Sequence, residues 1–500
     1  MELSEILTVF IGIKSSLTSD FLFAFYKDNV TVIGRKSQYK KGRNKTQRKG
    51  KQFVKTLDIK NSKGGIMKKR VALHNLGCKV NAYELEAMQQ MLETAGYEIV
   101  PFEPGADVYI INTCTVTNIA DRKSRQMLHK ARKMNPQAIV IAAGCYVQAQ
   151  KDMDKIDDAI DIVLGNNRKQ DLLFILENYE KNRGQEKDVI NLEKPVEYED
   201  LQLSRAGEHT RAYLKVQDGC NQFCSYCIIP YVRGRVRSRK KEDVLNEVKR
   251  LTENGYQEFV LTGIHLSSYG VDCEDTLLSL VQAVHEVPGV KRIRLGSLEP
   301  RIVTEEFARA LGNMPKICPH FHLSLQSGCN ETLKRMNRRY TAEEYLKGCE
   351  LLRKYFKNPA LTTDVIVGFP GETEEEFARS KAMIEQADFY ETHIFKYSRR
   401  QGTRADRMEN QVPEQIKTER SHALIALGKE HMKKYMDQFM GQEVEILFEE
   451  PAQINGETYW TGHTKEYLKA AVKTKENLEN CIRRGKVVDT VKDGIFICTI

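Results

Sequence analysis

Three cysteines fall within eight residues of this chain, Cys220-Asn-Gln-Phe-Cys224-Ser-Tyr-Cys227, at the spacing C-x3-C-x2-C. Thiolates converging from one loop can hold three corners of a cubic iron–sulfur cluster and leave the fourth iron open to a small molecule. A structural zinc site closes on four ligands instead; the bland alternatives are an incomplete zinc site or spare thiols. Three more cysteines, Cys78, Cys114 and Cys145, are far apart in sequence, but each follows an apolar run: Val71–Leu76, Asp107–Asn112 and Ala138–Ala143. Between the runs lie helical patterns, Glu84–Thr94 (Leu85, Met88, Met91, Leu92) and the basic Ala120–Lys133. Strand, helix, strand, helix, strand implies a parallel sheet. In such a sheet all carboxyl ends share one edge, where open α/β folds bind ligands. These three cysteines are therefore expected to meet as a second cluster site; the pattern alone also admits three unrelated buried thiols.

The Cys220 loop needs a scaffold of its own. Six strand candidates follow an acidic stretch of little periodicity, Glu180–Asp200, which reads as a linker. They are Tyr213–Gln217, Glu258–Thr262, Arg292–Gly296, Phe321–Leu325, Leu361–Val367 and Thr392–Lys396, with helical patterns between them. Six βα units suggest an open six-stranded relative of the eight-stranded α/β barrel, whose active residues sit at strand carboxyl ends. The cysteine loop directly follows the first strand. From about Gly441 the pattern turns to short apolar alternations, a candidate small all-β barrel. Its Trp460, Lys465, Tyr467, Lys469, Arg483 and Arg484 either bind RNA by phosphate contact and stacking or belong to an ordinary β-surface with core aromatics.

Composition bounds the class. Five hundred residues call for two or more domains, and 41% hydrophobic with 29% charged residues is ordinary for a globular protein. Twelve scattered cysteines do not make a disulfide scaffold, and exposed metal-binding thiolates favour a reducing cytoplasm. The net charge of +9 tempts a nucleic-acid reading, but residues 1–66 carry 14 Lys+Arg against 5 Asp+Glu, and the remainder holds 63 of each. Global charge thus gives no argument for nucleic acid in the body of the protein.

The C-x3-C-x2-C spacing, with Tyr226 before its last cysteine, resembles the radical S-adenosylmethionine (SAM) enzymes. That resemblance implies that SAM chelates the open iron and is split into methionine and a 5′-deoxyadenosyl radical. Together with Asn75-Leu-Gly-Cys-Lys-Val-Asn81, Asn112-Thr-Cys-Thr-Val-Thr117 and Gly144-Cys-Tyr-Val-Gln148, the triplet is similar to the radical SAM methylthiotransferases. The similarity runs from about Met67 to Ile500. It implies an α/β chain of three domains: an amino-terminal parallel α/β cluster domain (67–179), a linker (180–205), a partial six-stranded radical SAM barrel (206–438) and a small all-β TRAM barrel (439–500). Gly-Cys-Lys-Val-Asn resembles the branch that acts on N6-threonylcarbamoyladenosine, immediately 3′ of the tRNA anticodon, although Asn75 stands where a Thr is expected.

The resemblance implies two 4Fe–4S clusters and transfer of a methylthio group to adenine carbon 2, whose unactivated C–H bond makes a radical route reasonable. Cys220, Cys224 and Cys227 would hold the SAM-cleaving cluster, and Cys78, Cys114 and Cys145 the auxiliary cluster that carries the sulfur. Beyond these ligands no catalytic residue is assigned. SAM contacts are expected from Tyr226, Gly263, Ser297, Glu299, Gln326, Asp364 and Gly368, each also explicable by a turn or packing role. His265, His320, His322 and His393 are not assigned as ligands, and Cys273, Cys318, Cys329, Cys349, Cys481 and Cys498 read as packed thiols. The partners implied are tRNA, an electron donor such as flavodoxin or ferredoxin, and an unidentified sulfur donor, with no membrane. Rival readings are methylthiotransfer to another tRNA adenosine or to a protein, and a non-catalytic iron–sulfur RNA-binding sensor.

Residues 1–66 read as a disordered basic extension or an RNA-binding arm. Lys63-Gly64-Gly65-Ile66 can be encoded by a purine-rich ribosome-binding sequence just before the Met67 codon, so the segment is expected to be translated upstream sequence.

Overall fold

The computed structural model describes residues 21–26, 29–35, 52–57, 68–150, 157–182, 184, 186–192, 194, 196–203, 210–491 and 494–500. Two compact units divide the chain after Met67. In the first, β1 (Phe21–Tyr26), β2 (Asn29–Arg35) and β3 (Gln52–Leu57) pair antiparallel in that order. The rest of that unit, including its basic stretch, lies outside the described residues, and so does most of what bears on the reading of residues 1–66.

The second unit opens with a six-stranded parallel sheet: β4 (Arg70–Asn75), β5 (Glu98–Val100), β6 (Val108–Thr113), β7 (Ile139–Gly144), β8 (Ile162–Leu164) and β9 (Glu186–Asp188). Every residue of β6 and β7 is buried, as expected of strands covered on both faces. Val108, Ile110 and Ile141 pack on one face against Met88 and Leu172, while Tyr109, Ile111 and Val140 pack on the other against Leu128 and Ala131. The strand order β5-β4-β6-β7-β8-β9 reverses direction between β4 and β6. That switch point is where such sheets bind ligands. Cys78 and Cys114 lie beyond those two strands, and Cys145 beyond β7.

Two sequence expectations shift here. The first helix runs Lys79–Thr94 with Cys78 as its extended N-cap, five residues earlier than the apolar pattern indicates. Its first turns bury Asn81 and Glu84, polar side chains that break the apolar period because their partners lie in the next domain. The stretch read as a linker also carries structure: it supplies β9 and buries Glu199, Leu201 and Leu203. Its charges find partners, for example Asp200 on Arg239 at 2.7 Å.

The barrel is formed by β10 (Arg211–Asp218), β12 (Glu258–Gly263), β13 (Arg292–Leu295), β14 (His320–His322), β15 (Ala360–Val367) and β16 (Glu391–Lys396). All neighbours pair parallel; single bridges at Ile293–Ile317 and Leu298–Leu323 join β13 to β14. The short β11 (Arg237–Ser238) pairs antiparallel with β10 beyond the cysteine loop. Alternate residues such as Leu214, Leu261 and Val365 face the surrounding helices in one core, which turns Lys215, Arg294, His322, Asp364 and His393 to the lumen side. Six strands leave a lateral gap between β10 and β16. The amino-terminal domain spans it: the helix Lys79–Thr94 packs on β10 and β12, and Asn118 and Asp121 reach Arg399 and Arg400 beyond β16.

The last five strands, β17 (Glu443–Ile454), β18 (Glu457–Thr464), β19 (Lys469–Val472), β20 (Ile482–Val491) and β21 (Ile495–Thr499), close into a barrel. It seats against the amino ends of the radical-barrel strands, where Arg292 donates to the Glu445 carbonyl (2.7 Å) and Arg294 to the Lys465 carbonyl (3.0 Å). No helix among the described residues is long and apolar enough to cross a membrane.

Candidate active site

Register brings the first triplet together. Thr113 pairs with Gly144, so Cys114 and Cys145 leave adjacent strands side by side. Gly77 turns at φ +111°, and a Cβ there would stand 3.1 Å from the Cys114 sulfur, so a side chain would fill the space beside it. The second triplet lies in the loop after β10. Gly219 starts it at φ +69°; a Cβ would collide with the Arg235 carbonyl. The two sites adjoin: Cys145 packs with Ile228 and Val232, just past Cys227, and Asn166 donates both to the Cys145 sulfur (3.5 Å) and to the Val232 carbonyl (2.8 Å).

The donor sets fit clusters better than single ions. Thiolates on one zinc stand about 3.8 Å apart; among the described residues neither cysteine triplet brings three ligand atoms within 4.8 Å of one another. Burial pushes the thiols of Cys114 and Cys220 up to about 11 and Cys227 to about 12. Such thiols do not ionise unaided near neutral pH, and ionisation there needs a bound cation. Cys78 keeps accessible surface although surrounding protein raises its thiol, which puts it on the wall of an internal space.

Charge around the first triplet is unusual. Glu84 is ion-paired with Lys215 (2.7 Å), Arg233 (2.9 Å) and Lys169 (3.2 Å), and Asp218 with Lys215, Arg233 and Arg237. All six side chains are buried. With buried Glu199 as a third carboxylate near Lys169 and Lys215, four cations still outnumber the carboxylates by one, and Arg233 reaches Asn81 at 2.6 Å, beside Cys78. The run Arg233, Arg235, Arg237, Arg239 looks from sequence like an RNA-binding patch. Only Arg235 is exposed, over the Phe223 ring; the others are spent in buried ion pairs.

At the second triplet one residue was missed by sequence reasoning. Arg338 donates to the Cys224 sulfur at 3.4 Å, with the rest of its guanidinium held by the Ser324 carbonyl and Tyr340. No local motif marks it, since it reaches Cys224 across 114 residues. A cation bonded to a ligand sulfur favours the reduced cluster. Replacing Arg338 with Met is expected to keep the iron but slow SAM cleavage at fixed reductant at least about tenfold, from loss of a hydrogen bond to a charged group; wild-type cleavage would refute this role.

The expected SAM contacts divide. Tyr226 packs edge-on to Phe369 beside the triplet. Gly263 ends β12 against Gln217, where a Cβ would meet side-chain atoms at 2.8 Å. Glu299 lies near Cys220, buried and bonded to Arg301 at 2.8 Å; Ser297 is exposed two residues before it. Gln326, at φ +69°, bridges to β15. Gly368 is accounted for by packing: its missing Cβ is occupied by Lys417, and its N–H is held by Glu372. Asp364 lies inside β15, where its carboxylate meets His322 at 3.3 Å. His322, Asp364 and His393 bring one donor atom each within 4.8 Å, a grouping the sequence reading did not foresee. His265 also joins the mouth, lowered to about 4 by burial and by Arg338 and Arg301.

The carboxyl-terminal residues divide as well. Tyr467 is not an open stacking platform: it lies between His463 (4.7 Å) and His320 (5.0 Å) under Arg211 and Arg294. Lys465 reaches the Pro315 carbonyl, and Trp460 packs on its barrel's core. Lys469, Arg483 and Arg484 remain exposed.

Six parallel strands with a cysteine loop after the first, joined to a doubly wound sheet, define a radical SAM enzyme with an added cluster-type domain. Residues 214–384 match the Radical SAM superfamily model, and 70–165 match Uncharacterized protein family UPF0004. The chain is 43% identical, over 84% of its length and 93% of the relative's, to Threonylcarbamoyladenosine tRNA methylthiotransferase MtaB of Bacillus subtilis. It is 39% identical to the protein of that name from Aquifex aeolicus, over 78% and 95%. A tRNA-2-methylthio-N(6)-dimethylallyladenosine synthase of Finegoldia magna is 34% identical over 83% and 90%. Among solved structures, the radical SAM methyltransferase TsrM from Kitasatospora setae shares the fold at TM-score 0.50 and 18% identity, over 66% of this chain and 75% of that one. The chain belongs to the radical SAM methylthiotransferases, enzymes of two 4Fe–4S clusters and SAM.

Proposed function

We propose that this protein adds a methylthio group to carbon 2 of N6-threonylcarbamoyladenosine next to the tRNA anticodon. The observation that carries this reading is the adjacency of the two cysteine triplets across one domain junction, with Cys145 packed on the residue that follows Cys227. The first-named relatives are called threonylcarbamoyladenosine tRNA methylthiotransferases, which supports the branch. Cys220, Cys224 and Cys227 would hold one cluster, and Cys78, Cys114 and Cys145 the other. When bound, the clusters supply the electron that cleaves SAM and the sulfur that is transferred. Arg338 steadies the charge on Cys224, and the Glu84–Arg233 network steadies the first triplet. Tyr226, Gly263, Ser297, Glu299 and Gln326 would place SAM at the strand ends, with Gly368 shaping the mouth and Asp364 deeper in the lumen. The carboxyl-terminal barrel is read as a TRAM domain, the electron donor as a flavodoxin or ferredoxin, and the compartment as cytoplasm. Nucleoside mass spectrometry tests this: tRNA from cells lacking the protein should lose the methylthio form and accumulate N6-threonylcarbamoyladenosine. Unchanged nucleosides would refute it.

A second test concerns RNA affinity. Replacing the exposed Lys469, Arg483 and Arg484 with Gln should weaken tRNA binding and lower its salt slope by about 1 for each phosphate contact removed. An unchanged slope would move the RNA surface elsewhere. The exposed cationic face of the helix Asn118–Met134 (Arg122, Lys123, Arg125, Lys130), which begins beside Cys114, is the next candidate.

A further inference from the structure

Three neighbouring strands present a donor set that the cluster chemistry does not use. Parallel register places His393 of β16 beside Asp364 of β15, and His322 of β14 beside Thr362, two residues earlier on β15 and so on the same face. That face is the lumen, since Phe321, Leu323 and Val365 turn the other way into the core. One donor atom each from His322, Asp364 and His393 lies within 4.8 Å of the others. None of the three neighbours a cluster cysteine in sequence.

The distances favour a shared cation over a private ion pair. His322 Nε2 is 3.3 Å from Asp364 Oδ2, longer than the usual charge-assisted bond of about 2.7–2.9 Å. Ligand atoms held about 2.1 Å from one divalent ion stand about 3.0–3.4 Å apart. Across the same ring, His322 Nδ1 meets the Thr362 hydroxyl at 3.0 Å. A ring that donates Nδ1–H there turns its Nε2 lone pair on the carboxylate, two acceptors that a cation between them reconciles. The His393 ring stacks on that of His322, 5.8 Å between centroids. Its Nδ1 lies 3.9 Å from Glu391, a second carboxylate on the same face. Arg294, which also faces the lumen, is already paired with Glu258 at 3.0 Å. All three candidate ligands keep accessible side-chain surface, through which an ion can enter.

We propose that His322, Asp364 and His393 form a mononuclear site for a divalent transition-metal ion, separate from the two cysteine sites. Two imidazoles and one carboxylate suit zinc or iron(II) over magnesium or calcium, which take oxygen ligands. Three protein ligands leave further coordination positions open, and these face the lumen.

The test is electron paramagnetic resonance of Mn²⁺ added to the untagged, anaerobically reconstituted holoprotein. Oxidised 4Fe–4S clusters carry no net spin and leave the Mn²⁺ signal clear. One ion per chain should disappear from the free-ion signal, pulsed spectra should show nitrogen coupling from two imidazoles, and zinc should displace the ion. His322→Ala and His393→Ala should each weaken binding at least about tenfold and lose one nitrogen coupling, with wild-type iron retained. Asp364→Asn should weaken binding and keep both couplings. No saturable binding up to millimolar Mn²⁺ overturns the proposal, and so does a bound ion without nitrogen coupling. Both are read on the wild type, so neither depends on a variant folding. Unchanged affinity in the histidine variants would put the ion elsewhere and also overturns it.

Discussion

Protein with Cys220, Cys224 and Cys227 all replaced by Ala is expected to hold about four irons where the reconstituted wild type holds about eight. It should cleave no SAM. The complementary triple replacement of Cys78, Cys114 and Cys145 should also hold about four irons but keep SAM cleavage and lose sulfur transfer. The asymmetry follows from position. The Cys220 loop leaves the carboxyl end of β10, at the mouth where Arg338, Glu299 and His265 gather, whereas the other triplet hangs on a separate sheet. Iron analysis, 5′-deoxyadenosine production and nucleoside mass spectrometry read the three outcomes separately. Full iron in either variant would refute the assignment of that triplet. Equal loss of cleavage in both would mean that the two sites act as one.

Replacing Glu84 with Ala should destabilise the protein by about 3–5 kcal/mol, because it strands charges that are wholly buried. Lys215, Arg233 and Lys169 all converge on this carboxylate, and the helix that carries it is the one packed on β10. The loss should appear as a lower midpoint of chemical unfolding and as lost iron from the Cys78 triplet before the Cys220 triplet. The pH dependence has a definite sign. Burial alone would raise the Glu84 carboxyl, but Arg233, Lys169 and Lys215 together hold it well below the usual range. A carboxyl depressed in the folded state contributes its stability above its unfolded value, near about 4.3, and loses it as pH falls toward the folded value. Wild-type stability should therefore fall steeply below about pH 4, and Glu84→Gln should flatten that limb. A Glu84→Ala protein with the wild-type midpoint would show that the network contributes nothing net.

Much was legible in order along the chain. The six barrel strands, the three strands ending at Cys78, Cys114 and Cys145, and the closing β-barrel all follow from apolar period, because each strand must cover a core face with its own residues. The cysteine spacing pointed to cluster chemistry for the same reason: three thiols in one loop need no partner from elsewhere. What the sequence could not determine is where charge is spent. Arg233, Arg237 and Arg239 look like a patch for RNA, Tyr467 like a stacking surface, and Glu84 like the start of a helix. Arg233, Glu84 and Tyr467 each meet a partner more than 100 residues away, such as Arg233 with Glu84 and Arg294 over Tyr467, while Arg237 is spent on Asp218 and Arg239 on Glu247. Burial of an ion pair depends on two surfaces meeting, and neither surface alone records it. The grouping of His322, Asp364 and His393 was decided in the same way, by strands brought to one lumen.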